Sequence, residues 1–394
     1  MRRLREQLAR DAAPADIVII ADLLTRRIIA TTPEMERRMA RLRDREFTSA
    51  TVAADPALAR LRALGIIASS EDLYRKHAYT SLEIEINRHC NLRCRFCPVA
   101  IAPKPKAFMP AELFTLLLQR AVEYGIVMIS LNHYSEPTLN PDLIQRIEEA
   151  ASHRLTVRLH TNATLLDEPK VRKLADAGNV ELVINLPSVD PVEYERVTGT
   201  KLFDRVMANL ELIHQHQLPA TLSINSPRDS ADQNVRMIND KFERWFGPSV
   251  AWPTDSRAGL LEQLEYARPV SHAGRLSGCW VTIYQLNVSF EGKAFLCCQD
   301  FDQQYILGDL RESSIAEISS SERAVELRRM IFGGQTAPAD FLCRRCEWTQ
   351  PLSRTRDHLA VGSAFKTSAH MGAQGWLLEW PIDWLEHGAL APWA

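Results

Sequence analysis

Between Ser81 and Gly247 the chain alternates two hydrophobic periods. The runs SLEIEIN, IVMISLN, LTVRLHTN, VELVINLPS and ATLSINSP are short, rich in β-branched and aliphatic residues, and predict strands. Between them lie PAELFTLLLQRAVEYG, NPDLIQRIEEAASHR, DEPKVRKLADAG, FDRVMANLELIHQHQ and SADQNVRMINDKFERWFG. Their apolar residues recur every three or four positions, as helices with one buried stripe require. Pro110, Pro141 and Asp167 stand where helix starts are expected, and Ala177 with Gly178 suits a helix end. Alternating strands and helices imply βα units on a parallel sheet. Five or six units predict an α/β fold, a partial (β/α)6 TIM-like barrel with functional groups at the C-terminal ends of its strands.

Both ends of the chain depart from this pattern. Upstream, DIVIIADLLTRRIIATTPEMERRMARL predicts two short strands joined by a turn and leading into a helix, and PALARLRALGII a second helix. After about Pro253 a less regular region runs to Ser277, followed by a β-rich segment, CWVTIYQLNVSFEGKAFLCC, with a hairpin centred on Gly292. The tail contains GWLLEWPIDW, whose three tryptophans are expected to dock on the body, because an exposed patch of that kind invites association. The predicted division is a small α+β module over 1–78, a barrel over 79–260, a cysteine-bearing extension over 261–352 and a docked tail over 353–394.

A chain of 394 residues exceeds what one core normally organises, in keeping with several domains. The formal net charge of -2 argues against a surface that wraps nucleic acid. The arginine-rich first 45 residues interleave with acidic ones and read as solvated helix faces. No apolar run reaches the roughly 20 residues that span a bilayer, and the N-terminus lacks the apolar stretch of a signal peptide. A cytoplasmic protein without membrane or nucleic-acid partners is expected. In that reducing compartment eight cysteines point to metal or redox chemistry rather than disulfides.

The stretch EINRHCNLRCRFCPV follows the first predicted barrel strand. Three thiolates from one loop can hold three corners of a [4Fe–4S] cube and leave one iron open to a small chelating molecule. Zinc is the competing metal, but the loop has no fourth ligand, and His89 is too close to Cys90 to share its ion. The spacing of Cys90, Cys94 and Cys97, with Phe96 before the last cysteine, resembles the signature of the radical S-adenosylmethionine (SAM) superfamily. The resemblance implies a SAM-binding cluster on those cysteines, with Phe96 close to it. It also implies one-electron cleavage of SAM to methionine and a 5′-deoxyadenosyl radical that takes hydrogen from an unactivated carbon. HYSEPTLNP is similar to the family's Gly-Gly-Glu-Pro segment, with Tyr134 and Ser135 in place of both glycines. This implies that Ser135 and Glu136 face the methionine end of SAM. HTNATLL resembles the family's Thr-Asn-Gly segment and implies that Thr161 and Asn162 face SAM or the radical's path. Asn185 and Ser188, in VINLPS, are candidates for ribose or carboxylate contacts, with strand-end and turn capping as the alternative for each. Arg88, Arg93 and Arg95 read as charge compensation or solvent-facing loop residues.

Cys279, Cys297, Cys298, Cys343 and Cys346 form a second set, one more than a second cube needs. Their spacing, with Gly292 five residues before Cys297 and a final Cys-x-x-Cys, resembles the C-terminal extension called SPASM and its shorter relative called twitch. YILGDLRESSIAEI extends the resemblance, which covers about 81–350. It implies one auxiliary [4Fe–4S] cluster on Cys279, Cys297, Cys343 and Cys346, with Cys298 as the alternative to Cys297; a structural zinc is the competing reading. In related dehydrogenases an aspartate stands where Cys298 stands here, which leaves Asp300 and Tyr284 as candidate bases. The cofactors implied are two [4Fe–4S] clusters and SAM, supplied with electrons by flavodoxin or ferredoxin. The N-terminal module resembles PqqD-like peptide-recognition modules, with a cover for the barrel as the alternative, so the expected substrate is a ribosomally made peptide that is oxidised or gains a C–C or C–X bond. The alternatives are a sugar, aminocyclitol or nucleotide-sugar in natural-product biosynthesis and, from another class, a non-catalytic iron–sulfur electron carrier.

Overall fold

The computed structural model describes residues 18–22, 27–31, 49–56, 58–59, 74–75, 79–226, 228–253, 255–261, 270–276, 279 and 281–349. Strand β1 (Val18–Asp22) pairs antiparallel with β2 (Arg27–Thr31), Val18 opposite Thr31, as the sequence predicts, and α1 covers Ser49–Ala54. They belong to a unit distinct from residues 79–350. The helix over MERRMARL, most of PALARLRALGII and the tryptophan-rich tail lie outside the described residues.

Residues 79–350 are organised on a nine-stranded sheet. In chain order its first part runs β3 (Ser81–Ile84), α2 (Ala111–Tyr124), β4 (Met128–Leu131), α3 (Leu143–Ser152), β5 (Thr156–Thr161), α4 (Glu168–Ala177) and β6 (Val180–Asn185). Then come α5 (Pro191–Thr198), α6 (Phe203–Gln215), β7 (Ala220–Ser226), α7 (Arg228–Phe246) and β8 (Val250–Pro253). The six strands β3 to β8 pair parallel in that order, the partial (β/α)6 barrel. The last part runs α8 (Val281–Tyr284), β9 (Gln285–Val288), β10 (Lys293–Phe295), β11 (Ile306–Asp309), α9 (Ile315–Ser320) and α10 (Glu322–Ile331). Strand β9 pairs parallel with β3, and β10 and β11 follow antiparallel, so the extension continues the barrel sheet from its first strand.

Alternation along the strands separates two faces. Leu82 and Ile84, Ile129 and Leu131, Val157 and Leu159, and Leu182 and Ile184 join one core with helix residues such as Phe114, Leu117, Ile147 and Leu174. The intervening residues face the other way. In register across five strands they are Asn287, Glu83, Ser130, Arg158 and Glu181. Parallel strands covered on both sides are normally apolar on both, so a polar inner face marks the side on which the sheet does chemistry.

The local signals act largely as read. Asp167 caps α4 by accepting from the Lys170 N–H at 3.1 Å, and Gly178 ends it in left-handed backbone at φ 69°. Gly292, at φ 84°, closes the hairpin with its N–H on the Ser289 carbonyl at 2.9 Å. A Cβ there would stand 3.0 Å from a Leu113 methyl. Three expectations are corrected. α3 starts at Leu143, two residues past Pro141. VTIY is a helical turn rather than strand, anchored by the Thr282 hydroxyl on the Cys279 carbonyl at 2.9 Å. SLEIEIN leaves the ladder after Ile84, and Asn87 turns its amide to the His89 and Glu136 carbonyls at 3.0 and 3.1 Å to open the cysteine loop.

Candidate active site

The cysteine loop follows β3 and docks on the end of α5. The N–H groups of Arg93 and Arg95 donate to the Thr198 and Val197 carbonyls at 3.1 and 2.9 Å. Within the loop the Cys97 N–H donates to the Cys94 carbonyl at 2.9 Å, and Cys90 Sγ accepts from the Leu92 N–H at 3.4 Å. Burial, reinforced by Glu136, pushes the Cys90 thiol up to about 12. Burial and then the fields of Cys97 and Cys90 push Cys94 well up. Three thiols held this close resist ionisation unless a cationic centre takes them as thiolates. Among the described residues no three His, Cys, Asp or Glu side chains converge on one ion. Three thiols from one loop fit three corners of an iron–sulfur cube.

Behind the trio stands Glu136, 1% exposed. Its Oε1 accepts from the Thr138 N–H and hydroxyl at 3.0 and 2.6 Å and from the Thr161 hydroxyl at 2.8 Å; Oε2 accepts from the Asn162 N–H at 2.7 Å. Burial raises its pKa and these four bonds oppose the rise. The carboxylate thereby ties the end of β4 to the end of β5. Asn162 passes the connection on: its amide donates to Asn91 Oδ1 at 2.9 Å and approaches Cys90 Sγ at 3.9 Å, while Asn91 donates to the Thr164 hydroxyl at 2.8 Å. Left-handed backbone in HYSEP falls on His133, φ 79°, and not on Tyr134 or Ser135, so the two residues replacing glycines need no glycine conformation. Ser135 donates to the Asn132 carbonyl at 3.4 Å, and Tyr134 reaches the extension, donating to the Cys298 carbonyl at 2.6 Å. Phe96 and Asn185 are half-buried, the latter at the end of β6. Ser188 is buried and accepts the Asp190 N–H at 3.0 Å, turn chemistry rather than an open contact.

In the extension Cys279, Cys297, Cys343 and Cys346 lie in one another's fields in every pairing. Cys298 acts on Cys297 and shares the field of Cys279, but its larger charged neighbours are Arg257, Asp255 and Glu83, and Cys343 and Cys346 are not among its main ones. The Cys-x-x-Cys turn is clamped by Arg344, whose guanidinium donates to the His272 carbonyl at 2.6 Å and the Pro338 carbonyl at 2.8 Å. The two candidate bases have different surroundings. Asp300 is 2% exposed, and its two oxygens accept the Gln304 and Tyr305 N–H groups at 2.9 Å each, which spends the carboxylate on its own turn. Tyr284 precedes β9 level with Thr80, whose N–H donates to its carbonyl at 2.9 Å, and its phenol, pushed well up by burial, lies in the fields of Glu83, Cys298 and Cys279. Sequence reading missed Asn91, Thr138 and Thr164. It also missed the cluster of Asp255, Arg257, Gln299 and Trp348 that joins the loop after β8 to the extension. Asn91 sits inside the cysteine motif, Thr138 inside HYSEPTLNP and Thr164 inside HTNATLL, whereas the cluster around Asp255 carried no local signal.

Residues 84–238 match the model of the radical SAM superfamily, and 279–347 match that of an iron–sulfur cluster-binding domain, SPASM. A PqqA peptide cyclase from Gluconobacter oxydans is 27% identical over 68% of this chain and 82% of its own length. An S-adenosyl-L-methionine-dependent 2-deoxy-scyllo-inosamine dehydrogenase from Niallia circulans is 21% identical over 68% of this chain and 92% of its own. Among solved structures, Streptococcus suis SuiB bound to its precursor peptide SuiA superposes with a TM-score of 0.55 at 14% identity, over 84% of this chain and 92% of that one, a likeness of fold. Among the described residues no helix is long and apolar enough to cross a membrane. The chain belongs to the radical SAM superfamily, with a SAM-binding [4Fe–4S] cluster in its barrel and a SPASM iron–sulfur extension.

Proposed function

We propose that this radical SAM enzyme modifies a ribosomally made peptide, by oxidation or by forming a C–C or C–X bond. When bound, the barrel cluster and SAM supply the electron and the 5′-deoxyadenosyl radical that removes hydrogen from carbon. Cys90, Cys94 and Cys97 hold that cluster, steadied by Glu136, Thr161 and Asn162. Cys279, Cys297, Cys343 and Cys346 hold a single auxiliary cluster, and Cys298 stays outside it. The arrangement that carries the reading is an open-cornered thiol trio and a four-thiol set on one continuous sheet, with a polar inner face for the substrate. The peptide is supported by β1–β2: a lone two-stranded ribbon is short of strands, and among the described residues neither outer edge is paired, so a leader peptide can add as a third strand. The peptide cyclase from Gluconobacter oxydans supports the same substrate class. The division at 78, 260 and 352, a cytoplasmic location that keeps the thiols reduced, and electron supply by flavodoxin or ferredoxin complete the proposal.

A second reading, dehydrogenation of an aminocyclitol or related sugar, is supported by the four-thiol count and by the Niallia circulans relative. Co-expression with short peptides encoded beside the gene decides between them. A peptide that loses hydrogen by mass, only when the enzyme is intact at Cys97, supports the first reading. Unmodified peptides together with oxidation of an aminocyclitol establish the second.

A further inference from the structure

Arg257 lies in the loop after β8, on the same sheet edge as the cysteine loop. Arg257 and Ala258 both hold left-handed backbone, φ 51° and 53°, a conformation costly for residues with a Cβ. The surroundings over-determine it. The Ser256 N–H donates to Glu347 Oε1 at 2.7 Å, and the Gly259 N–H to Ser256 Oγ at 3.0 Å. Asp255 accepts the Arg257 N–H at 3.0 Å through Oδ1, and Gln299 and Trp348 at 3.1 and 2.7 Å through Oδ2. Three residues of the extension thus fix a strained barrel loop, and the result is the direction of one side chain. The Arg257 guanidinium stands 5.8 Å from the centre of the Tyr134 ring, with Cys97 of the first trio and Cys298 of the extension both contributing to its field.

A guanidinium has five N–H donors and needs acceptors when water is scarce. Here Nε is 3.4 Å from Asp255 Oδ1, an ion pair that leaves the Nε hydrogen bond unmade. Among the described residues the terminal nitrogens donate to no acceptor, and the side chain keeps 20% of its surface. Held rigidly and lacking a bidentate partner, the fork matches a carboxylate. We propose that Arg257 anchors the substrate by an acidic side chain, placing a glutamate or aspartate of the peptide between the two groups of cysteines. This rests on the peptide reading, and it disfavours a cationic aminocyclitol at the same place.

The test uses reconstituted holoenzyme, wild type, R257Q and R257K, under anaerobic conditions. Binding of acetyl-Gly-Glu-Gly-amide is compared with acetyl-Gly-Gln-Gly-amide, and glucuronate with glucose, by saturation-transfer NMR; the affinity for SAM is measured alongside. The expected result is a preference of about tenfold for the glutamyl over the glutaminyl peptide, lost in R257Q and partly kept in R257K. SAM affinity and iron content stay unchanged. No preference in wild type, or one that survives R257Q, overturns the proposal. Weaker SAM binding without a peptide preference assigns the guanidinium to the SAM carboxylate, and a shifted cluster potential alone assigns it to cluster charge; either result overturns it. Discrimination of glucuronate from glucose without peptide discrimination keeps the anion role, sinks the peptide reading, and with it the acidic side chain.

Discussion

Glu136 shows how one buried group connects chemistry to fold. Its carboxylate accepts four bonds, from Thr138 twice, Thr161 and Asn162, and Asn162 in turn approaches Cys90. In Glu136→Gln the amide must turn its NH2 toward one of these donors and strand it. A loss of about 2 kcal/mol in denaturant unfolding follows, with weaker iron retention by the barrel cluster. Glu136→Asp, which keeps the charge but shortens the reach, is expected to fall between. The second set makes a sharper distinction. Iron analysis of the reconstituted protein should fall from about eight to about four per chain in Cys297→Ala and stay near eight in Cys298→Ala. The trio and the final Cys-x-x-Cys were legible because their spacing is local. The choice between Cys297 and Cys298 was not, since it depends on Cys343 and Cys346, some 45 residues away in sequence. Arg257 was invisible for the same reason: Gln299, Glu347 and Trp348 give it meaning only in three dimensions.

At the scale of elements, five barrel strands and five helices were readable because each carries an unbroken period, sharpened at α4 by the Asp167 cap and Gly178. α5 and β8 went unread. α5 has eight residues, short for a helical period, although Asp190, Pro191 and Gly199 mark both its ends, and β8 is VAWP, whose proline argues against a strand. The polar inner face was present in the alternation of LEIEI and VRLHT, but only the parallel register lines Glu83, Ser130, Arg158 and Glu181 into one row. That face also makes β5 sensitive to pH. Burial lowers the pKa of His160 from 6.5 to about 4, against the field of Glu83, which raises it. The unfolded chain takes the proton first, so the stabilising difference is present above about pH 6.5 and is lost as the pH falls toward 4. His160→Gln should flatten the fall in stability across that window, read as the difference between variant and wild-type denaturation midpoints at each pH.

At the scale of the molecule, the extension and the barrel share one sheet. Strand β9 covers the open side of β3, and Glu85, 1% exposed, accepts from Phe290 N–H and Gln303 Nε2 at 3.3 and 3.1 Å across the join. Tyr134 crosses it again through the Cys298 carbonyl. Two thiol groups held by one continuous scaffold keep a fixed separation, which suits electron transfer between a substrate radical and an auxiliary cluster better than a tethered domain does. The reaction itself rests on the open corner of the first trio. The most direct measurement is 5′-deoxyadenosine release from SAM by the reconstituted, dithionite-reduced protein. Release by the wild type and its loss in Cys97→Ala, with the auxiliary cluster still loaded, is the predicted result; no release from wild type carrying both clusters contradicts it.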